Sequence, residues 1–155
     1  MLTSVLSKTA VAVLLTLTTY TWYPGGGEFK CYEDYRALTD TSAPQYQLQK
    51  EAWTDCNGLR RVGGCYCVAL GSAYGEEIGA KYIITLSTGY EFIAILADQK
   101  ADRDTIDGHT RDINGAVIEF VVDSECIPPY VRQSGSVSSI PQFAGEVEKI
   151  RRVKK

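Results

Sequence analysis

The side chains of this 155-residue chain best suited to chemistry are two carboxyls at apolar runs. Asp98 closes the run at residues 90–97, and Glu119 lies inside the otherwise apolar run at residues 115–122. A carboxyl held against apolar strands loses hydration, so its pKa rises and it can act as a general acid near neutral pH. A second, wetter carboxylate can stay ionised and stabilise a developing cation, as in glycosidic bond cleavage. Asp98 and Glu119 are therefore the leading candidate pair.

The loop between these two runs, residues 98–112, is rich in charge. Its other acidic members are Asp102, Asp104, Asp107 and Asp112, and its basic members are Lys100, Arg103 and Arg111. An EF-hand loop starting at Asp102 would place isoleucine where oxygen ligands are required. We therefore predict no metal site in this loop, with a non-standard calcium site as the alternative. Glu119 could instead point outward or pair with Arg103 or Arg111.

The composition is typical of a globular protein that does not bind nucleic acid. Hydrophobic residues make up 45% of the chain and charged residues 23%, which is enough apolar material for a core. The formal net charge is −3 and the pI is about 5.2. A nucleic-acid-binding domain would usually present a basic face.

Five cysteines are present, at positions 31, 56, 65, 67 and 126. Because side chains alternate along a strand, Cys65 and Cys67 should point to the same face. A zinc site is not supported, since His109 is the single histidine and a second ligand pair is missing. We expect the cysteines to be packing residues or to form one disulfide.

The N-terminal residues 1–27 resemble a signal peptide or membrane anchor followed by a glycine-rich linker. Lys8 precedes a short apolar stretch, and Trp22 and Tyr23 are residue types that favour a membrane interface. The alternative is a strand or buried helix of the domain itself. We expect a secreted or membrane-anchored protein whose remaining residues lie on the extracellular side.

The next segment, residues 28–62, has a helical pattern. Aromatic and apolar side chains recur at three-residue spacing between Phe29 and Leu38, which favours a first helix. Ser42 and Gln45 have the spacing of a capping box, and Pro44 between them suits the first turn of a second helix.

From residue 63 to residue 155 the pattern changes to strands and turns. Candidate strands cover residues 64–70, 81–86, 90–97, 115–122 and 145–153. Thr88 and Gly89 provide the turn of a hairpin between the second and third of these strands. Several short strands with glycine turns predict a mainly β domain, either a small barrel or a sandwich.

The order of these pieces resembles the 3D domain, a six-stranded double-psi β-barrel named for three aspartates. The matching pieces are Ile78-Gly79, Gly89-Tyr90, Ala97-Asp98 and Gly115-Ala116-Val117-Ile118-Glu119. That barrel occurs in membrane-bound lytic transglycosylases of the MltA type, in RlpA-like proteins and in expansins. The chain is also similar to uncharacterised exported proteins of Firmicutes. Asp98 matches the first family aspartate. Glu119 matches the second by position, with glutamate substituted, and Asp112 beside Arg111 is a rival for that second role.

The resemblance implies a cell-wall protein that binds or cleaves peptidoglycan glycan strands without a cofactor. Asp98, Glu119 and Asp112 would then be the catalytic candidates. The expected substrate contacts are Lys100, His109, Tyr74 and Tyr90. The alternatives are a non-catalytic polysaccharide-binding module and a structural protein of a phage or mobile element built on the same barrel.

Overall fold

The computed structural model describes residues 18–22, as backbone only, and residues 27–154. These residues form a mainly β fold with two α-helices, α1 at Pro44–Glu51 and α2 at Pro129–Ser134. The strands are β1 Thr18–Trp22, β2 Cys31–Asp34, β3 Trp53–Thr54, β4 Arg60–Val62, β5 Cys65–Leu70, β6 Lys81–Leu86, β7 Glu91–Gln99, β8 Thr105–Ile106, β9 Arg111–Asp112, β10 Glu119–Val122 and β11 Val147–Val153. Single turns of 3-10 helix occur at Tyr35–Ala37, Ser72–Tyr74, Asp102–Asp104, Val137–Ser139 and Pro141–Phe143.

Nine of the strands form one open sheet with the order β1-β11-β6-β7-β5-β10-β2. The short β3–β4 hairpin joins this sheet through β5, and β8 and β9 form a separate ribbon. Two neighbouring pairs, β5 with β7 and β2 with β10, are parallel, whereas the other pairs are antiparallel. Parallel neighbours cannot be joined by a tight turn, so the chain brings together segments that are distant in sequence.

The predicted strands are confirmed, with shorter ends in some cases. The strand at residues 81–86 is found as β6, and Gly89 adopts the positive φ of 89° that the turn into β7 requires. The run at residues 115–122 is buried at residues 116–118, but only its second half pairs as β10. Apolar runs therefore located the strands correctly, and the hydrogen-bond register decided their ends.

One face of the sheet lies on the main hydrophobic core. From β5, Tyr66, Val68 and Leu70 point into it, as alternation requires. Around Tyr66 the rings of Phe92, Phe120 and Phe143 pack with centroid separations of 5.0 to 6.3 Å. Such edge-to-face and offset contacts stabilise aromatic clusters beyond their buried area.

The opposite face, which we call the outer face, is covered at one end by α1. Beneath the helix lies a second apolar cluster made by Cys65, Cys67, Ile95, Ala97 and Val121. Leu48 of α1 packs against this cluster. Cys65 and Cys67 therefore share one face, as predicted, and both are free thiols.

The segment before α1 differs from the prediction. Residues 31–34 form strand β2 and Tyr35–Ala37 forms a single 3-10 turn, where the spacing of aromatic residues favoured a helix. Pairing with β10 explains this result, because each residue of Cys31–Asp34 has a partner in Glu119–Val122. Long-range strand pairing overrides a weak local pattern. The second predicted helix is confirmed as α1, although Ala43 rather than Ser42 occupies the position before it.

The expected signal peptide or anchor falls largely on residues 1–17 and 23–26, which lie outside the described residues. Between those segments, β1 pairs antiparallel with β11, from Thr18 opposite Val153 to Trp22 opposite Lys149. None of the described helices has the length and apolarity to cross a membrane.

Candidate functional site

The uncovered end of the outer face carries the two carboxyls that the sequence analysis singled out. Asp98 of β7 and Glu119 of β10 are both paired with Ala69 of β5, one on each side. Glu119 is paired in turn with Cys31 of β2. Paired residues on adjacent strands point to the same face, so these four side chains form a row across four strands. The small Ala69 side chain leaves space between the two acids.

A register shift places Asp98 on this face. Val68 pairs with Leu96, but the next residue, Ala69, pairs with Asp98, so Ala97 is an extra residue in β7. In a regular strand Asp98 would share a face with Leu96, which is fully buried in the main core. Such irregularities redirect a side chain. Here the shift keeps the carboxyl out of the core and presents it on the outer face.

These side chains surround an open cleft of about 540 Å³. Its lining residues are Glu33, Ala69, Asp98, Gln99, Lys100, Ala101, Asp104, Asp112, Ile113, Asn114 and Glu119. The charged members are five acids and one lysine. The cleft therefore favours neutral or cationic ligands and disfavours a phosphate backbone.

Lys100 lies at the centre of the charged groups. Its side chain is only 2% exposed, and its Nζ donates to Asp112 Oδ2 at 2.6 Å and to Glu119 Oε2 at 3.4 Å. Its backbone N–H donates to Leu70 O at 3.0 Å, which fixes the residue after β7 against β5. Glu119 thus pairs with Lys100, neither with Arg103 nor with Arg111.

Asp112 reaches this ion pair through local structure. It ends β9, its N–H donates to Ala116 O at 2.8 Å, and its carbonyl accepts from Gly115 N at 2.8 Å. Gly115 has a positive φ of 90°, a conformation that glycine adopts without strain. The resulting turn folds the loop back so that the Asp112 carboxylate meets Lys100.

A thiol completes this cluster. Cys31 Sγ donates to Asp112 Oδ2 at 3.5 Å and lies 3.9 Å from Lys100 Nζ. Burial raises the pKa of the Cys31 thiol well above its usual range, since desolvation outweighs the nearby ammonium. The raised pKa favours the neutral thiol, which donates to Asp112.

Cys31, Asp112 and Glu119 also place one ligand atom each within 4.8 Å of one another. Sulfur and carboxylate oxygen atoms at such distances could hold a metal ion. The Lys100 ammonium contacts all three of them, however, and already supplies the positive charge. The geometry thus favours the Lys100 ammonium, rather than a metal ion, as the cation at this position.

Asp98 has a different environment. Among the described residues it forms no ion pair, and its Oδ1 accepts from Gln45 Nε2 of α1 at 3.3 Å. Glu33 of β2 lines the same cleft as Asp98. Burial raises the pKa of Glu33 to about 8, and the negative charges of Asp98 and Glu119 act in the same direction. The site thus has two parts. In one, Asp112 and Glu119 are ion-paired with Lys100, and the other consists of the carboxyls of Asp98 and Glu33.

Sequence reasoning missed Glu33. It was assigned to a helix, and its relation to Asp98 depends on the pairing of β2 with β10. Recognising residues 31–34 as a strand would have placed Glu33 two residues from Cys31 and on the same face. Nothing local in the sequence joins that face to Asp98.

The other expected substrate contacts lie outside the cleft. His109 sits on the β8–β9 ribbon, where its Nδ1 is 2.7 Å from Thr105 Oγ1 and 3.5 Å from Asp102. Its carbonyl packs on Gly71, where an added Cβ would lie 1.9 Å from His109 O. Tyr74 is 4% exposed and belongs to the main core, and Tyr90 stacks on Phe92. Of the four expected contacts, Lys100 is the one that lines the cleft.

The comparison with known proteins is brief. No family model, curated protein or solved structure matches this chain. The geometry of the cleft is therefore the observation from which a function can be inferred.

Proposed function

We propose that this chain is a cell-wall-associated protein that binds peptidoglycan glycan strands in the cleft and cleaves them with Asp98 as general acid and base. One observation carries the proposal. Asp98 lies in an open cleft without an ion-pair partner among the described residues, whereas Asp112 and Glu119 both bind Lys100. A proton donor must be accessible to substrate, and an ion-paired carboxylate is less available for that role.

The reaction is that of a lytic transglycosylase. Asp98 donates its proton to the glycosidic oxygen, and the bond from that oxygen to the sugar C1 breaks. The carboxylates of the Lys100 cluster lie across Ala69 and stabilise the positive charge that develops on the sugar ring. The muramyl 6-hydroxyl then attacks C1 and gives its proton to Asp98 or Glu119. No cofactor is needed, because the nucleophile belongs to the substrate.

The charge of the cleft supports a glycan rather than a polyanion. Five acids and one lysine line it. Such a surface repels phosphate, whereas the uncharged hydroxyls of a glycan can donate to carboxylate oxygens. The proposal therefore excludes nucleic acid as a partner.

The proposal extends to the fold and to the location of the protein. Strands β2, β5, β6, β7, β10 and β11 are proposed to correspond to the six strands of a double-psi barrel. Support comes from the two parallel pairs, each between segments that are distant in sequence. Peptidoglycan is extracellular, so residues 1–27 are proposed to direct export or to anchor the protein.

The test is a product assay with the full chain. Purified peptidoglycan is incubated with the protein, and the soluble products are analysed by mass spectrometry for anhydromuropeptides. Wild-type protein should release them, and Asp98→Asn should abolish release because it removes the titratable proton. Loss of one general acid typically lowers the rate by about 100-fold to 10,000-fold.

The matched control is Asp107→Asn. Asp107 belongs to the same acidic loop but binds Arg111 at the far side of the β8–β9 ribbon. This variant should retain wild-type release. If wild-type protein binds the cell wall in a pull-down but releases no product, the proposed catalytic activity is contradicted. The protein is then a non-catalytic glycan-binding module. Absence of both binding and product would contradict peptidoglycan as the ligand.

A further inference from the structure

We propose that Ser138 and Lys30 form a second reactive site, in which Ser138 Oγ is a nucleophile toward acyl esters and Lys30 Nζ is its general base. This site is distinct from the acidic cleft, since none of its residues lines that cleft. It is also independent of the proposed function, because it requires neither Asp98 nor a glycan. The two residues are 108 positions apart in sequence, so the tertiary structure brings them together.

Backbone hydrogen bonds hold the two residues next to each other just before strand β2. Lys30 N donates to Ser136 Oγ at 3.1 Å, and Lys30 O accepts from Val137 N at 2.9 Å. These bonds fix the segment before β2 against the 3-10 turn at Val137–Ser139. Ser138 belongs to that turn, and its Oγ lies 3.0 Å from Lys30 Nζ. A nucleophile and its base need a separation of about 2.6–3.2 Å, so this pair meets the requirement.

Ser138 can be reached by a ligand, whereas Lys30 is hidden behind it. Ser138 is partly exposed at an open pocket of about 420 Å³. The residues that line this pocket are Glu28, Phe29, Ser136, Ser138 and Ser139. Lys30 is 0% exposed and does not line the pocket. An ester carbonyl could therefore approach the hydroxyl while the amine stays shielded from water.

The Lys30 ammonium is buried without a carboxylate partner. Among the described residues it forms no ion pair, and its acceptors are Ser138 Oγ at 3.0 Å, Glu28 O at 3.0 Å and Gly145 O at 2.5 Å. Burying an ammonium without a counter-ion costs free energy, and loss of the proton removes that cost. Burial lowers the pKa of Lys30 to about 8, although the charges of Glu28 and Glu146 oppose the shift. A neutral fraction of Lys30 therefore exists near neutral pH, as a general base requires.

The hydrogen-bond partners of Lys30 show where the lone pair of the neutral amine must point. Two of the partners are carbonyl oxygens, which can only accept, and the third is a hydroxyl, which can also donate. In the charged form Nζ donates to all three, and the Ser138 hydroxyl donates to Glu28 O. The neutral amine keeps two N–H donors for the two carbonyls, so its lone pair faces Ser138. The hydroxyl can then turn to Lys30 without leaving any of these groups unpaired.

The proposed acyl transfer balances in atoms and charge. Ser138 Oγ attacks the carbonyl carbon of the ester, and its proton moves to Lys30 Nζ, which becomes an ammonium. When the tetrahedral intermediate collapses, the bond from carbon to the alkoxide oxygen breaks. Lys30 gives its proton to the leaving alcohol, and the products are acyl-Ser138 and that alcohol. A water molecule that attacks acyl-Ser138 by the same proton route restores the free serine.

The test is labelling of the full-length protein with a fluorophosphonate, which phosphonylates activated serine hydroxyls with loss of fluoride. Mass spectrometry of the tryptic peptide at residues 133–149 locates the modified serine. We expect label on Ser138, and Ser138→Ala should abolish it. Lys30→Met should slow labelling at least about 100-fold, the usual contribution of a general base.

The matched control is Ser134→Ala. Ser134 is an exposed serine of the same tryptic peptide, but it neither lines the pocket nor bonds to Lys30. This variant should be labelled at the wild-type rate.

The pH dependence of labelling distinguishes a general base from a lysine with a structural role. The wild-type rate should rise with pH through a midpoint near 8 and then level off, because Lys30 must first lose its proton. Glu28→Gln removes a negative charge that raises the pKa of Lys30, so the midpoint should move to lower pH. This measurement leaves the buried lysine in place, so it decides the question even if Lys30→Met does not fold.

Three results would overturn the inference. They are a wild-type protein that is not labelled, label on Ser134 or Ser139 in place of Ser138, and a rate that rises with pH without levelling off. A midpoint that is the same in Glu28→Gln and wild type would show that Lys30 is not the base. The peptidoglycan assay does not involve Ser138, so each proposal can fail while the other holds.

Discussion

The outer face of the sheet has two ends that are formed by the same strands. One end is buried and apolar, and the other is open and acidic. At the covered end, Cys67, Ala97 and Val121 are fully or nearly fully buried beneath α1. At the open end, Asp98 and Glu119 continue the same strands into a cleft. Strands β5 and β7 run through both ends, so the cover of α1 and the register shift before Asp98 together separate a dry, apolar surface from an acidic one.

The comparison shows how little sequence distance separates a packing residue from a site residue. Ala97 and Asp98 are adjacent in β7, yet Ala97 is fully buried and Asp98 is half-buried at the cleft. Gln45 lies at the boundary, on the first turn of α1, and binds Asp98. The helix therefore both seals one end of the face and orients the first acid of the other.

The largest effect on the unfolding free energy is expected when a carboxylate is introduced at the covered end of the outer face. Ala97→Asp would bury a carboxyl beneath α1 without a partner, which should lower the free energy of unfolding by about 3–5 kcal/mol. Denaturant unfolding followed by circular dichroism measures the change. Ala101→Asp is the matched control, since Ala101 is exposed and precedes a 3-10 turn where an aspartate is favourable. Equal losses of unfolding free energy in the two variants would contradict the conclusion that water is excluded from the covered end.

A smaller effect is expected from removing the cation of the open end. Lys100→Met leaves the Asp112 and Glu119 carboxylates close together without their shared ammonium. Both are partly reached by solvent, so the loss of unfolding free energy should be about 2–3 kcal/mol. Adding Asp112→Asn and Glu119→Gln to Lys100→Met should restore part of the lost unfolding free energy, because the uncompensated carboxylates are then removed.

The control for that change is Lys81→Met at an exposed position on β6. Its unfolding free energy should stay within about 0.5 kcal/mol of wild type. A Lys100→Met protein as stable as Lys81→Met would show that the cluster around Lys100 is held together by other contacts.

The third effect depends on pH. Burial raises the pKa of Glu33 to about 8, so the folded protein binds a proton there that the unfolded chain releases at the ordinary glutamate pKa. The stabilisation from that proton is complete below the ordinary pKa and is lost as the pH rises through 8. Glu33→Gln should therefore gain roughly 1–3 kcal/mol relative to wild type between pH 4 and pH 9. Unfolding curves at several pH values test this, with the exposed Glu148→Gln as control. A constant difference between Glu33→Gln and wild type would contradict the elevated pKa.

The smallest effect is expected at the boundary residue. Gln45→Ala removes one hydrogen bond of 3.3 Å to Asp98 and should lower the unfolding free energy by about 0.5–1 kcal/mol. If Asp98 acts as proposed, the variant should release anhydromuropeptides more slowly than wild type, because Asp98 loses the side chain that orients it. Glu51→Ala, at an exposed position of α1 with no side-chain hydrogen bond among the described residues, should change neither quantity.

The sequence by itself determined several of the strands and the positions of the two candidate carboxyls along them. Apolar runs and the turn at Gly89 predicted β5, β6, β7 and β11, because hydrophobic periodicity and turn chemistry are local signals. They also placed Asp98 at a strand end and Glu119 within an apolar run. The helical assignment of residues 29–38 was wrong because aromatic spacing alone does not reveal a strand partner that lies about ninety residues away.

Only the tertiary structure decided which groups meet at the site. The register shift at Ala97 turned Asp98 away from the core, the pairing of β2 with β10 brought in Glu33, and the turn at Gly115 brought Asp112 to Lys100. Each of these events joins segments that are distant in sequence or depends on a one-residue register. A slip of one residue exchanges the two faces of a strand, so no local pattern can fix which side chains share the cleft.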